Sequence, residues 1–250
     1  MRRDMPWLLR RGSGWNIGDL MTPSPESPSY VRHVRSLFDI EALSRARARF
    51  IDREKAGWTP RDDQERKRMA IGAAPNQFRL DEAWYDIWRD LSAAQLRELG
   101  PFSYVLFPVH IRHVIEDAHL VPWHQDAAYV ALMPRQHAKV ITCFVPLEPR
   151  PDEVSSLEFA RGDYPLLPHE PQDGHGAAIR AQPFPDVARF DLSFGDAILF
   201  GDHVPHRTVP ARNGQINRRS FEFRLTRPAD ALPGKDYFDL STCAFVRTPE

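Results

Sequence analysis

Apolar side chains at Ile40, Leu43, Ala46, Phe50 and Ile51 recur at helical spacing with arginines between them, which predicts a helix over Ile40–Ala56. Asp39 offers an N-cap and Gly57 a stop. A second helical pattern, capped at Asp81, places Trp84, Ile87, Trp88 and Leu91 on one face and runs through Leu96 and Leu99 to Gly100. Tryptophans at that spacing read as core packing. Beyond Pro101 the texture changes. Short β-rich runs appear at Ser103–Val114, Ala127–Leu132, Lys139–Leu147, Ser156–Ala160, Ala197–Phe200 and Arg219–Leu225, with Pro, Gly and Asp between them. Such a series points to a sandwich or barrel rather than to βαβ units. The chain therefore reads as one mainly β domain with flanking helices: an irregular and helical N-terminal region, residues 1–100, packing on a β core, residues 101–250.

Composition sharpens this picture. The 250 residues include 23 prolines against 13 glycines, and the proline share is about twice the usual ~5%. Prolines at 23, 25 and 28 forbid regular helix there, so residues 1–29 read as irregular. Pro165, Pro168, Pro171, Pro183 and Pro185 mark Gly162–Val187 as a long loop of the kind that covers a binding site. A net charge of -1 removes the electrostatic reason to expect a nucleic-acid or anionic-membrane partner. No segment approaches the ~20 apolar residues that span a bilayer. The apolar stretch around Pro6-Trp7-Leu8-Leu9 is shorter than a signal-peptide core. Two cysteines, Cys143 and Cys243, make no disulfide framework. Together these lead to the expectation of a cytoplasmic protein with a small-molecule partner. They leave its oligomeric state undetermined.

The chemistry concentrates in Val121-Pro122-Trp123-His124-Gln125-Asp126. On an extended strand His124 and Asp126 project from one face, as two metal ligands would. Alone, a His-x-Asp pair says little. Downstream, Phe194-Gly195-Asp196 turns into an apolar strand, Asp202-His203-Val204-Pro205-His206 offers two further histidines, and Arg218 and Ser220 share one face of the last long strand. Two histidines and a carboxylate form the facial triad of non-haem iron(II) oxygenases, which leaves coordination positions open. A guanidinium fork with a hydroxyl two residues on suits a carboxylate. Upstream, His110 and Arg112 share a strand face and are candidates for lining the same pocket. His33, His113, His119, His137, His169 and His175 have no ligand-like spacing and read as surface or loop residues. Cys143 reads as a buried small hydrophobe. Arg161, Arg207 and Arg212 read as solvated loop charge.

These motifs together resemble the phytanoyl-CoA hydroxylase-like branch of the iron(II)/2-oxoglutarate-dependent dioxygenases. The correspondence lies in Trp123-His124-Gln125-Asp126, Gly195-Asp196, His206 and Arg218, across residues 100–226. The family spacing from Gly-Asp selects His206 over His203. Arg218 comes one residue later than usual. Phe144 stands where the family has tryptophan, Ser156-Leu157 replaces Gly-Leu, and Gly162-Asp163-Tyr164 replaces Gly-Ser-His. The resemblance implies a double-stranded β-helix, or jelly roll, with Fe(II) on His124, Asp126 and His206. It implies 2-oxoglutarate held by Arg218 and Ser220, with His110 and Arg112 nearby, and O2 as the oxidant. The implied reaction oxidises a small molecule with release of succinate and CO2. Because Asp126 is kept, it implies hydroxylation or a related oxidation rather than halogenation. Two other readings remain open from the residues: a non-catalytic jelly-roll protein that binds a ligand or metal, and a cupin-like metalloenzyme that does not use 2-oxoglutarate. Neither needs the Arg218–Ser220 pair.

Overall fold

The computed structural model describes residues 27, 29–70, 72–74, 83–131, 140–149, 155–172, 176–180 and 184–249. The expected irregular run 1–29 lies almost wholly outside these residues, as do Asp81, Leu132, His137, Lys139 and His175. Helix α1, Ile40–Lys55, starts where Asp39 accepts the Ala42 N–H at 2.8 Å. Its stripe of Ala42, Leu43, Ala46 and Phe50 is buried, whereas Ile40, expected on that stripe, is 59% exposed. Helix α2 covers Asp63–Met69.

The single helix expected from Asp81 to Gly100 is two: α3, Ala83–Arg89, and α4, Ala93–Leu99. The first ends at Arg89, and Ser92 caps the start of the second. Its hydroxyl accepts the Gln95 N–H, and the Gln95 side chain accepts the Ser92 N–H, a capping box that favours a fresh start over continuation.

Seven strands form the larger sheet. They are β1 (Val31–Val34), β2 (Tyr104–Val114), β3 (Val140–Pro146), β8 (Ala197–Gly201), β10 (Arg218–Thr226), β11 (Asp236–Asp239) and β12 (Ala244–Arg247), in the order β1-β8-β3-β10-β2-β11-β12. A smaller sheet has the order β7-β4-β9, from β4 (Ser156–Ala160), β7 (Val187–Arg189) and β9 (His206–Val209). This is the jelly-roll arrangement expected of the core, with every pairing antiparallel.

Strand β10 shows why the larger sheet sits where it does. Phe221, Phe223 and Leu225 point outward to α1 and α3, and the Trp84 and Phe221 rings stack at 4.8 Å. On the other face, Phe144, Ile198 and Phe200 meet Leu157 and Phe159 of the smaller sheet. At the entry to β8, Gly195 has φ +100, and a Cβ there would lie 3.2 Å from the Phe38 carbonyl. Glycine is the residue that turn accepts.

Two further expectations are corrected. Ala127–Leu132 is not a strand: helix α5 spans Asp126–Ala131. Asp126 is in its first turn, where a carboxylate favours helix, and alanine is the best helix former. Gly162–Val187 is not structureless either. It contains an antiparallel pair, β5 (His169–Gln172) and β6 (Gly176–Ile179). That pair is held because Ala178 and Ile179 are buried and the Ile179 N–H bonds the Trp123 carbonyl at 2.7 Å. Among the described residues no helix is long and apolar enough to cross a membrane.

Candidate metal centre

His124 and His206 exchange both backbone hydrogen bonds, N–H to carbonyl at 2.9 Å each way. Directly paired residues present their side chains on one face, and the two imidazole rings lie 4.1 Å apart. Each ring donates from Nδ1 to a backbone carbonyl two residues before it, His124 to Pro122 at 2.9 Å and His206 to Val204 at 3.0 Å. That leaves Nε2 of each ring as the nitrogen able to ligate a metal. Burial and the neighbouring His206 push His124 down to about 3, so its ring is neutral and ready to ligate at ordinary pH.

Asp126 completes the cluster. Ligand atoms of His124, Asp126 and His206 all lie within 4.8 Å of one another, and all three residues are buried. Asp126 does not continue a strand from His124, as its spacing suggested. It begins α5, and the turn between the two brings the carboxylate alongside the rings. Burial alone would raise its pKa. The Arg224 guanidinium, the two imidazoles and the Thr142 hydroxyl outweigh that and hold the carboxyl well below the usual range. Thr142 donates to Oδ2 at 2.5 Å, and Arg224 Nη2 donates to Oδ1 at 3.1 Å. The sequence reading singled out neither residue. Alternation on β10 does place Arg224 on the same face as Arg218, which was the available signal.

Arg218 is 1% exposed. Its guanidinium lies 4.9 Å from the centre of the Phe144 ring, and Nη1 reaches the Ser156 carbonyl at 3.4 Å. Its Nε and Nη2 are buried with no hydrogen-bond partner among the described residues. Burial, with Arg112 adding and Glu222 opposing, lowers Arg218 to about 10, so it stays charged. A buried cation with two unmet donors is costly unless an anion completes it. Ser220 is fully buried beside Glu222. Arg112 faces Ser220 across the β2–β10 register, and His110 faces Glu222. Arg224 Nη1 donates to His110 Nε2 at 2.8 Å, and Arg112 donates to the His119 carbonyl at 3.3 Å. Of the seven sequence-selected residues, His124, Asp126, His206, Arg218 and Ser220 are buried, while His110 and Arg112 are half-buried on the β2 face opposite Glu222 and Ser220.

His203 stands apart, half-exposed and bonded to Asp202 at 2.9 Å. Several histidines expected on the surface are instead held in polar pairs. His33 bonds Asp196, His113 bonds Glu54, and His119 is buried beside Glu116. Each gains a partner distant in the chain or across a turn, which spacing alone does not reveal. None joins the metal cluster. Cys143 is fully buried, and burial pushes its thiol up. Arg161, Arg207 and Arg212 pair with Asp186, Glu158 and Asp191 respectively.

No protein-family model matches the chain, and no curated protein does. Solved structures do. The fold is similar to SnoN, the non-heme alpha ketoglutarate dependent epimerase from nogalamycin biosynthesis (TM-score 0.52, 15% identity, 80% of each chain). It is also similar to the non-heme monooxygenase ThoJ in its apo form (TM-score 0.51, 14% identity, 87% of this chain and 81% of that one). SnoN has also been solved with Fe3+, alpha ketoglutarate and nogalamycin RO. A shorter match, to EvdO2 from Micromonospora carbonacea var. aurantiaca, has a TM-score of 0.43 at 21% identity. It covers 55% of this chain, which spans only 61% of that one.

Proposed function

We propose that this chain is a non-haem Fe(II)/2-oxoglutarate-dependent oxygenase of the phytanoyl-CoA hydroxylase-like kind, oxidising a small molecule. The observation that carries the reading is the convergence of His124, Asp126 and His206 within 4.8 Å inside the barrel. Two imidazoles and one carboxylate fit Fe(II) and leave positions for a chelating keto-acid and O2. The unmet donors of Arg218 fit the distal carboxylate of 2-oxoglutarate, with Ser220 beside them. Bound iron would supply the oxidative decarboxylation of 2-oxoglutarate to succinate and CO2 coupled to substrate oxidation. The chain's own residues orient and exclude. The Nδ1 bonds hold both imidazoles in the ligating tautomer. Thr142 and Arg224 aim the Asp126 carboxylate. Phe159 and Phe200 pack on the His206 ring and keep water from it. The jelly-roll fold it shares with SnoN supports a small metabolite or natural-product intermediate as substrate. The sequence has no Gly-rich phosphate cradle, which disfavours a CoA ester. The shared core of α3 and β10 supports reading residues 1–100 and 101–250 as one domain.

Anaerobic addition of Fe(II) and 2-oxoglutarate tests this. The wild type is expected to give the weak visible charge-transfer band of the chelate, and His124→Ala to abolish it. Folded wild type with no band and no 2-oxoglutarate binding would overturn the reading. Arg218→Ala is expected to leave Fe(II) binding nearly intact while weakening 2-oxoglutarate about 10- to 150-fold, the loss of ~1.5–3 kcal/mol from charge-assisted bonds.

A further inference from the structure

Gln125, between two of the three candidate ligands, is wholly buried, at 0% exposure. Its amide is fully engaged. Nε2 donates to the Pro165 carbonyl at 2.9 Å and to the His203 carbonyl at 2.6 Å, while Oε1 accepts the Leu167 N–H at 2.8 Å. With both N–H groups on carbonyls and the oxygen on an N–H, the amide has one workable orientation; flipping it would set like against like at all three contacts. The backbone adds to the clasp. The Gln125 N–H donates to His169 Nε2 at 3.0 Å, and His169 Nδ1 in turn donates to the Leu167 carbonyl at 2.7 Å. The run Pro165–His169 is thereby bound to the turn that carries His124 and Asp126. Pro165 and Pro168 restrict that run's alternatives and reduce the entropy its docking costs.

We propose that Gln125 is a positioning residue that clasps the His124–Asp126 turn to the run Pro165–His169, so that metal-binding geometry depends on that run being docked. The proposal rests on the metal-centre reading above. A turn held from only its two ends can splay, and three donors must converge for an ion to bind. Groups that orient ligands in this way typically change metal affinity ~10- to 100-fold when removed. The dependence is reciprocal: an ion that favours the clasped turn also favours the docked run.

Co(II) alone serves as the probe, with hydrogen exchange of the Leu167 amide as the second readout. In the wild type, Co(II) is expected to bind and to slow Leu167 exchange. Gln125→Met keeps the side-chain length without its donors. It is expected to weaken Co(II) ~10- to 100-fold, to speed Leu167 exchange, and to make that exchange indifferent to Co(II). Protection of the β10 amides is expected to stay unchanged. His169→Phe leaves Gln125 and all three ligands in place and is expected to shift both readouts in the same direction. It carries the test if Gln125→Met does not fold. Equal Co(II) affinity in wild type and variants, or Leu167 exchange unaffected by Co(II) in the wild type, overturns this proposal alone. A wild type that binds no Co(II) overturns the metal-centre reading and the proposal with it.

Discussion

Arg224 illustrates how much one side chain decides here. It donates to Asp126 from Nη2 and to His110 from Nη1, on a side chain only 19% exposed. It has the largest downward influence on the Asp126 carboxyl. Arg224→Met removes that influence and leaves a buried carboxylate short of its partner, a loss of ~3–5 kcal/mol in the metal-free protein. The sign for binding follows. With Asp126 raised, protons compete with metal at higher pH, so the Co(II)-binding midpoint moves upward in pH. A titration of Co(II) binding against pH checks this; an unmoved midpoint would refute the role given to Arg224. His124 adds a second dependence. Its folded value of about 3 lies below the ordinary 6.5, so the unfolded chain binds the extra proton between those values. Stability from this group is full above about pH 6.5 and is lost as pH falls toward 3.

At the scale of elements, β10 works through its two faces. Inward it presents Arg218, Ser220 and Arg224; outward, Arg219 enters a half-buried ion network. Arg219 donates to Glu54 at 2.9 Å and to Glu148 at 2.8 Å, Arg47 also donates to Glu148, and His113 meets Glu54. This network ties the start of β10 to α1 and to the segment after β3, directly behind Arg218. Arg219→Met removes the cation that Glu54 and Glu148 share but leaves His113 on Glu54 and Arg47 on Glu148, so the expected loss of stability is ~1.5–3 kcal/mol by thermal or denaturant unfolding. Because the network backs the Arg218 end of the strand and not the Arg224 end, 2-oxoglutarate affinity is expected to fall more than Co(II) affinity. Equal loss of both would place its role elsewhere. The period-2 pattern of β10 was readable in the sequence, and so was the sharing of one face by Arg218 and Ser220. The partners of Arg219 were not, because Glu54 lies 165 residues away.

For the whole molecule, the candidate ligands come from different parts of the fold. His206 belongs to the smaller sheet, and Asp126 is bonded to Thr142 and Arg224 of the larger one. An ion bound there bridges the two layers and favours the folded state by linkage. At a free-metal concentration 100 times Kd this amounts to ~2.7 kcal/mol, or about 5–10 °C in Tm for a chain of this size. His206→Ala is expected to lose the shift. A wild type whose melting ignores saturating Co(II) would count against the bridge.

What the sequence by itself determined is local in origin. Alternation set the faces of β2, β3 and β10, helical spacing set α1, and the residue types at 124, 126, 206 and 218 announced metal and carboxylate chemistry. Those properties follow from the chain's own periodicity. Tertiary structure decided the rest. It ordered part of the covering segment as a hairpin against Trp123. It also gave Asp126 its partners Thr142 and Arg224, the latter 98 residues away. The physical reason is that a side chain's direction is set by its neighbours in sequence, whereas its electrostatic environment is set by strand register and layer packing.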